Sequence, residues 1–401
     1  MNYKSVGSAL TVMGLGLVTQ AYATNGVNLI GIGPVSRAQG GTGVAAPQDA
    51  VSAVFSNPAA MCISESCSSP QVDLSLTTFM PSTSAKMSMG PMTFEGDSDS
   101  ELYYIPALGV SLPVGGESTR WRAGMAIYGI SGLGVDYEDT AISSVIPFDF
   151  TELQIMKMAP SVAYSVTPDL SIGASVHVNY ASLEIGSSTL PTGKNDASDW
   201  AMGVQLGATW TVTPSVTLGV TYITEQENSY SDIMPEFGMM GPTGALTDFD
   251  LSLPQQVGVG VAWTGLEDRL TLSTDGRWVN WADADGYSDF GWEDQWTVGV
   301  GAQYEVIDNK LTVRAGYNYG KNPLRTQSFN QDVMSIIGFP AIVEHHLGLG
   351  LGYQINKDFV VNIAWVHAFE NTMSSATPDG MASIESSLSE DTIDVGLTWR
   401  F

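Results

Sequence analysis

Bases are scarce in this chain: 15 lysines and arginines stand against 42 acids, a formal net charge of −27. So little positive charge cannot neutralise phosphates, which excludes a nucleic-acid partner. Charge of either sign is thin, at 14% of residues against a usual ~25%. Beyond the first residues, no segment reaches the roughly 18 consecutive apolar residues that a membrane helix needs. Yet the chain carries 43 glycines, 10 tryptophans and 15 tyrosines. Low charge without long apolar runs implies apolar surface spread over alternating positions. A membrane β-barrel hides its hydrophobicity from a sliding-window plot in this way.

The one apolar run lies at the start. Lys4 is the only charge before an uncharged stretch from Val6 to Val18. Ala21-Tyr22-Ala23 then places small residues where an export peptidase reads. The run is too short for an anchor of ~20 residues, so residues 1–23 read as a signal peptide and Thr24 as the mature N-terminus. Cysteine is limited to Cys62 and Cys67. In an exported chain that spacing predicts a small disulfide-closed loop. A metal site would need further ligands that are not nearby, and no cofactor or metal is expected.

From Gln71 onward the period is two. In DTIDVGLTWRF, Ile393, Val395, Leu397, Trp399 and Phe401 share one face, while Thr392, Asp394, Gly396, Thr398 and Arg400 share the other. One face suits lipid and the other suits water. The same reading gives about fourteen strands, near 71–80, 101–113, 121–137, 151–166, 169–185, 199–213, 215–230, 250–264, 269–282, 292–306, 309–320, 343–354, 358–370 and 390–401. Tight turns at 166–169, 212–215, 307–309 and 356–358 carry Pro, Asp or Asn where turns want them. They alternate with long connections at 81–100, 138–150, 186–198, 231–249, 283–291, 321–342 and 371–389. Short turns at one end and long loops at the other predict an all-β fold. It is an up-and-down antiparallel barrel in an outer membrane, closed by an even strand number. Phe401 resembles the terminal signal of such barrels, which implies the barrel assembly machinery as a partner and, with outer-membrane lipid and lipopolysaccharide around it, a monomer.

Residues 24–68 differ from the barrel at 69–401. Gly40-Gly41-Thr42-Gly43 allows tight folding. Ala50, Val51, Ala53 and Val54 form an apolar patch on a short helix. Asn57 can cap the next turn, with Pro58 at its first position. A barrel of about fourteen strands leaves a lumen that wall side chains cannot fill, so this segment reads as a hatch, a plug inside the barrel. NGVNLIGIGPVSRAQGGTGVAAPQDAVSAVFSNPAA, with its motif Asn57-Pro58-Ala59, resembles the N-terminal hatch of the long-chain fatty acid transporter (FadL/TodX) family. APSVAYSVTPDLSIGASVHVNYASLEI (159–185), LPQQVGVGVAW (253–263) and KLTVRAGYNYGKNP (310–323) extend the resemblance over the mature chain. It implies a fourteen-stranded barrel that moves hydrophobic molecules, such as fatty acids, inward. Ala60-Met61 departs from the more usual glycine after this motif.

Three long connections are unexpectedly apolar: KMSMGPMTF (86–94), IMPEFGMMGPTGALTDF (233–249) and FNQDVMSIIGFPAIV (329–343). Exposed apolar patches mark binding surfaces, and methionine adapts to ligands of varied shape. Met234, Phe237, Met239 and Met240 are therefore expected to capture ligand at the surface, unless the loops pack on each other as a lid. Strand phase turns Lys157, His177 and Arg314 inward, along with Asp275 and Arg277. Lys157 or Arg314 could hold a fatty-acid carboxylate, or pair with Asp275, Asp394 or hatch acids. In AGMAIYGISGLGVDY (123–137), the lipid face is expected to carry Ala123, Met125, Ile127, Leu133, Val135 and Tyr137. Between them it offers only Gly129 and Ser131. Glycines in strands mark kinks or bulges, and the resemblance implies a lateral opening here, at Gly129, Ser131 and Gly132.

Rival readings remain. The acids of EGDSDSE (95–101) and DYEDT (136–140) are either solvated loop tips or divalent-cation bridges to lipopolysaccharide. Histidine is limited to four residues; His345 and His346 are adjacent and point to opposite faces. No Gly-x-Ser-x-Gly elbow is present, so an outer-membrane lipid enzyme has little to stand on. A hydrophilic porin or adhesive barrel is the structural rival, against which the plug and the apolar loops argue.

Overall fold

The structure, a computed structural model, describes residues 25–62, 70–115, 120–189, 192–238 and 241–401. The signal segment, the expected Cys62–Cys67 bridge, Met239 and Met240 lie outside what is described. Among the described residues, alternation of side chains from Gln71 onward produces seventeen strands. They are β1 (Gln71–Met89), β2 (Met92–Asp97), β3 (Tyr103–Val114), β4 (Trp121–Asp136), β5 (Phe150–Ser165), β6 (Leu170–Gly186), β7 (Asn195–Thr213), β8 (Val216–Ile223) and β9 (Ser229–Gly238). There follow β10 (Gly241–Asp250), β11 (Gln256–Gly265), β12 (Leu270–Val279), β13 (Gln295–Ile307), β14 (Leu311–Gly320), β15 (His345–Gln354), β16 (Phe359–Ala376) and β17 (Ala382–Arg400). Fourteen of them form the wall, each antiparallel to the next. β2 folds back on β1, and β9 with β10 forms a separate hairpin. β17 returns to β1 from Gln71↔Arg400 to Met89↔Ala382, which closes the ring and removes the seam's edges.

The wall sorts its residues as the alternation requires. Ile393, Val395, Leu397 and Trp399 are exposed on the outside, while Thr392, Asp394 and Thr398 are buried within. Aromatic residues ring the outside at two levels. Trp121 meets Tyr164, and Phe359 stacks on Trp399, at the turn end; Tyr180 meets Trp200 on the loop side. Along β7, Trp200 and Trp210 are 66% and 51% exposed. Ten residues at ~3.3 Å span ~33 Å along the strand, or about 25 Å of height at a tilt of about 40°, the apolar band of an outer-membrane barrel.

Three expected connections are instead largely strand: 231–249 forms the β9–β10 hairpin, and two others extend the wall. β1 runs on through 81–89, and β16 and β17 run through 371–376 and 382–389. Past the membrane their Ser- and Thr-rich segments keep pairing, so the wall continues as a raised collar at the loop end.

Residues 25–62 sit inside the ring. Helix α1 (Gly33–Ala38) begins with a proline in its first turn and ends at Gly40 and Gly41, whose φ of +66° and +77° favour glycine. Helix α2 (Ala50–Ser56) is capped by Asp49, whose carboxylate accepts from Ser52 N at 2.7 Å. It stops where Asn57 turns extended, and the Asn57 side chain accepts from Ala59 N at 3.1 Å as the next turn begins with Pro58.

The wall makes room for this segment with glycine. Gly109, Gly173, Gly219, Gly316, Gly348 and Gly396, on six different strands, lie against Val51, Ala59, Val44, Gln39, Arg37 and Pro34. A Cβ on Gly316 would stand 2.1 Å from the carbonyl carbon of Gln39, a backbone atom that cannot swing aside. Gly316→Ala should therefore cost about 1–3 kcal/mol and lower the urea midpoint of the folded barrel. Gly276→Ala is the control, because the nearest atom there is 3.7 Å from a new Cβ. Equal midpoints for the two variants would show that the hatch does not press on the wall.

Candidate functional site

The hatch is fastened by polar groups of the inner wall. Arg37 Nε donates to Asp394 Oδ2 at 3.2 Å and Arg37 Nη2 to Thr392 Oγ1 at 3.0 Å, with the first pair wholly buried. Thr77 donates to the same aspartate. Asp275 Oδ2 accepts from Gly43 N and Val44 N, at 2.8 and 2.9 Å. Asp73 Oδ2 accepts from Ala50 N at 2.7 Å, adding a wall carboxylate to the N-terminus of α2. Asn57 Nδ2 reaches the carbonyls of Val44, Ala208 and Val220, so the Asn-Pro-Ala turn ties hatch to wall.

On the loop side of the hatch the lumen is apolar. Leu29, Ile32, Val54, Phe79, Ile105, Tyr128, Ile130 and Leu153 belong to one buried cluster. The 329–343 segment does not face water as its sequence suggested. Helix α3 (Phe329–Asp332) leads into a π-helical turn at Val333–Gly338, and Val333, Met334, Ile336, Ile337, Phe339 and Ile342 are buried in the barrel mouth. Thr151 Oγ1 donates to Gly338 O, and Asn371 Nδ2 to Ile342 O at 2.7 Å, which pins this lid to the wall. Burying apolar side chains gains more than exposing them at the surface, so the lid outcome wins for this loop. Met234 packs partly buried against the same cluster, and Phe237 lies on β9.

The wall has a discontinuity at membrane depth. β3 pairs with β4 only from Val114↔Trp121 to Ala107↔Tyr128. Beyond this, Gly129–Asp136 continue to pair with β5 but not with β3. Ile130 is the extra residue of a bulge, because Gly129 pairs with Met156 and Ser131 with Ile155. Contact resumes where Asp99 N donates to Asp136 O at 2.9 Å. The bulge also reverses the faces. Val135 and Tyr137, expected in lipid, are wholly buried inside, because one inserted residue shifts a period of two by one. Pro106, the first β3 residue beyond the pairing with β4, has no N–H to leave unsatisfied. The freed Ile130 carbonyl accepts from Leu29 N of the hatch at 3.2 Å. Gly129 stands eight residues above Trp121, about 20 Å in height at the tilt used above, still within the apolar band.

The inward charges split into two groups. Lys157 Nζ lies 3.0 Å from His177 Nδ1; His177 Nε2 lies 3.1 Å from Gln205 Oε1; Gln205 Nε2 donates to the Phe55 and Ser56 carbonyls of the hatch. Lys157, His177 and Arg277 line a cavity between hatch and wall together with Leu29, Phe55 and Tyr128. Arg314 lies elsewhere, on the turn side of the hatch. Outside the membrane-spanning strands, burial and then the neighbouring Asp285, Glu227 and Asp283 raise the Glu225 carboxyl above its ordinary value. Among the described residues, no three His, Cys, Asp or Glu side chains converge as a metal site.

Residues 17–397 match the family described as "Outer membrane protein transport protein (OMPP1/FadL/TodX)". The chain belongs to this family. It is accordingly an outer-membrane transport barrel and not an enzyme. Among solved structures, it is similar to the P. putida toluene transporter TodX, at 20% identity and a TM-score of 0.70 over 93% of this chain and 99% of that one. A Pseudomonas aeruginosa FadL homologue matches at 16% identity and a TM-score of 0.72, over 94% and 100%. The Ralstonia pickettii toluene transporter TbuX matches at 20% and 0.67, over 93% and 99%. Comparison with curated proteins found no match.

For this OMPP1/FadL/TodX chain, strand phase turned Lys157, His177 and Arg314 inward alike. The structure sets Lys157 beside His177 and Arg314 on the other side of the hatch, since phase gives the face but not the height. Asp73, Arg37 and Ile130 went unremarked. Asp73 was findable as the one acid of β1, on its inward phase beside Gln71, Ser75 and Thr77.

Proposed function

We propose that the chain is an uptake channel for hydrophobic small molecules, long-chain fatty acids or hydrocarbons, with lateral release into the outer membrane. The observation that carries this reading is the unpaired stretch between β3 and β4, flanked inside by the apolar upper lumen. Unsatisfied backbone at membrane depth costs several kcal/mol per group, so a wall keeps such a stretch only where it has a use. Met234, Phe237, Met239 and Met240 of the β9–β10 hairpin capture ligand at the surface. The 329–343 lid yields, and the ligand settles above the hatch. Where it carries a carboxylate, Lys157 beside His177 supplies a charge-assisted hydrogen bond. The hatch blocks water flow while Gly129, Ser131 and Gly132 border the exit. Toluene transporters and a FadL homologue among the similar structures accord with an apolar cargo.

Cells relying on this channel should take up fatty acids and monoaromatic hydrocarbons several-fold faster than cells without it. A sugar of similar size should enter no faster. An equal rise in sugar flux would make the protein a hydrophilic porin instead. Within the capture step, Met239→Asp with Met240→Asp should weaken uptake at low ligand concentration severalfold, since burying apolar ligand against methionine is worth about 1–2 kcal/mol. The β9–β10 hairpin is a sheet separate from the wall, so the barrel still assembles. Unchanged uptake by the assembled double variant removes these two residues from the capture site.

A further inference from the structure

Below the hatch, at the turn end, the lumen changes character. We propose that it holds a binding site for a small oxyanion, a carboxylate or phosphate group, built on Arg314 and Arg400. Both line one cavity of about 2000 Å³, counted out to open solvent, roofed by Gln48 of the hatch. Arg314 Nε donates to Gln303 Oε1 at 2.7 Å and Arg314 Nη1 to Asn362 Oδ1 at 3.0 Å. These acceptors are neutral amides: they fix the plane of the guanidinium without cancelling its charge. Gly352 leaves the room that this plane needs, because a Cβ there would stand 2.8 Å from Arg314 Nη1. Arg400 Nε is buried without a hydrogen-bond partner among the described residues. Neither arginine is in an ion pair among those residues.

Asp49 and Asp73 lie near enough to attract Arg314 and Arg400, but their carboxylates have hydrogen-bond partners of their own. Asp49 caps α2 through Ser52 N, and Asp73 accepts from Ala50 N, Gln71 and Thr398. Asp268 and Glu305 also line the cavity, but so do Arg269 and Lys310. Arg269 pairs with Asp308, and Glu305 accepts from Asn309 N. Four of the chain's 15 bases thus gather at one cavity of a strongly acidic protein, and two of them keep donors free. A guanidinium fork takes carboxylate or phosphate oxygens in pairs. The surrounding threonines and amides suit a hydrophilic group rather than an acyl chain. The lateral route leaves the lumen on the other side of the hatch, so this site stands apart from it.

Calorimetric titration of the detergent-purified protein at low salt with inorganic phosphate and with acetate tests the site. Saturable binding of at least one is expected. Arg314→Gln should weaken it about tenfold or more, as loss of a charged hydrogen-bonding fork does; Arg400→Gln should weaken it as well. Lys321→Gln, exposed just beyond the loop end of β14, should leave it unchanged. If Arg314→Gln fails to fold, Arg400→Gln decides. No saturable binding, or binding that survives both arginine changes, overturns the proposal. Repeating the phosphate titration with laurate present separates two sources of the anion. Competition that Arg314→Gln abolishes assigns the site to the head group of a carried acid. Phosphate binding indifferent to laurate assigns it to free periplasmic anions, and either result upholds the site.

Discussion

A barrel lacking residues 25–60 should conduct ions as an open pore, while the intact protein stays nearly silent in a planar bilayer. The reason lies in which part of the molecule fills the lumen. Fourteen strands enclose more space than wall side chains can occupy, and here the wall gives up that attempt, placing glycine opposite Val44, Gln39, Ala59 and Val51. Once the hatch is gone, nothing at those heights narrows the pore, and conductance should rise on the order of tenfold or more. The wall itself should survive. Its ladder is continuous through the β1–β17 seam, and Asp275, Asp394 and Asp73, which hold hatch groups when buried, would then face water. Their desolvation cost disappears with their partners. Resistance of the barrel to unfolding in detergent establishes that the shortened protein is folded. A folded variant that conducts no more than the parent would mean that the loop-end lid, not the hatch, seals the lumen.

Much of this architecture was legible because a lipid-facing strand has one constraint that repeats every second residue. Ile393, Val395, Leu397 and Trp399 could be placed outside without knowing their neighbours, and the same held for most of the wall. Tight turns of Pro, Asp and Asn told one end of the barrel from the other. The hatch was legible as a change of texture before Gln71, and its helix at Ala50–Ser56 from the spacing of Ala50, Val51, Ala53 and Val54, though its cap Asp49 went unremarked. What failed were features that depend on height or on a break in period. Counting by two from Ala123 gives no warning that Ile130 is inserted, so Val135 and Tyr137 were put on the wrong face. Phase put Lys157 and Arg314 inside alike, though the hatch separates them. The 329–343 segment has apolar residues without a period, and only the empty mouth of the barrel explains why they turn inward. The Arg37–Asp394 pair joins residues 357 apart, a distance over which no local pattern speaks. The glycines facing the hatch were visible at inward positions, and a search for glycine in phase across successive strands would have outlined its seat.

Deleting Ile130 alone should cut net uptake of an apolar ligand about tenfold or more while leaving its capture at the cell surface intact. The deletion is chosen because it disturbs so little else. Every β4–β5 pair, from Trp121↔Tyr164 to Asp136↔Phe150, stays in place, and Gly129 and Ser131 become neighbours in a continuous ladder. A straightened β4 can continue pairing upward along Tyr103, Tyr104 and Ile105 of β3. Each added backbone hydrogen bond contributes about 0.5–1.5 kcal/mol, so two or three suffice for the tenfold loss. The change also removes the carbonyl that accepts from Leu29 N, so the hatch loses a tether at the gap. It brings no charge into lipid, and insertion should survive. Comparing cell-associated with metabolised ligand in the same cells separates exit from capture: the first should hold steady while the second falls. Both falling together would place Ile130 in the capture path. If the inserted variant matches the parent in both quantities, ligand does not leave between β3 and β4. Delivery past the hatch, through the polar cavity at the turn end, becomes the better account.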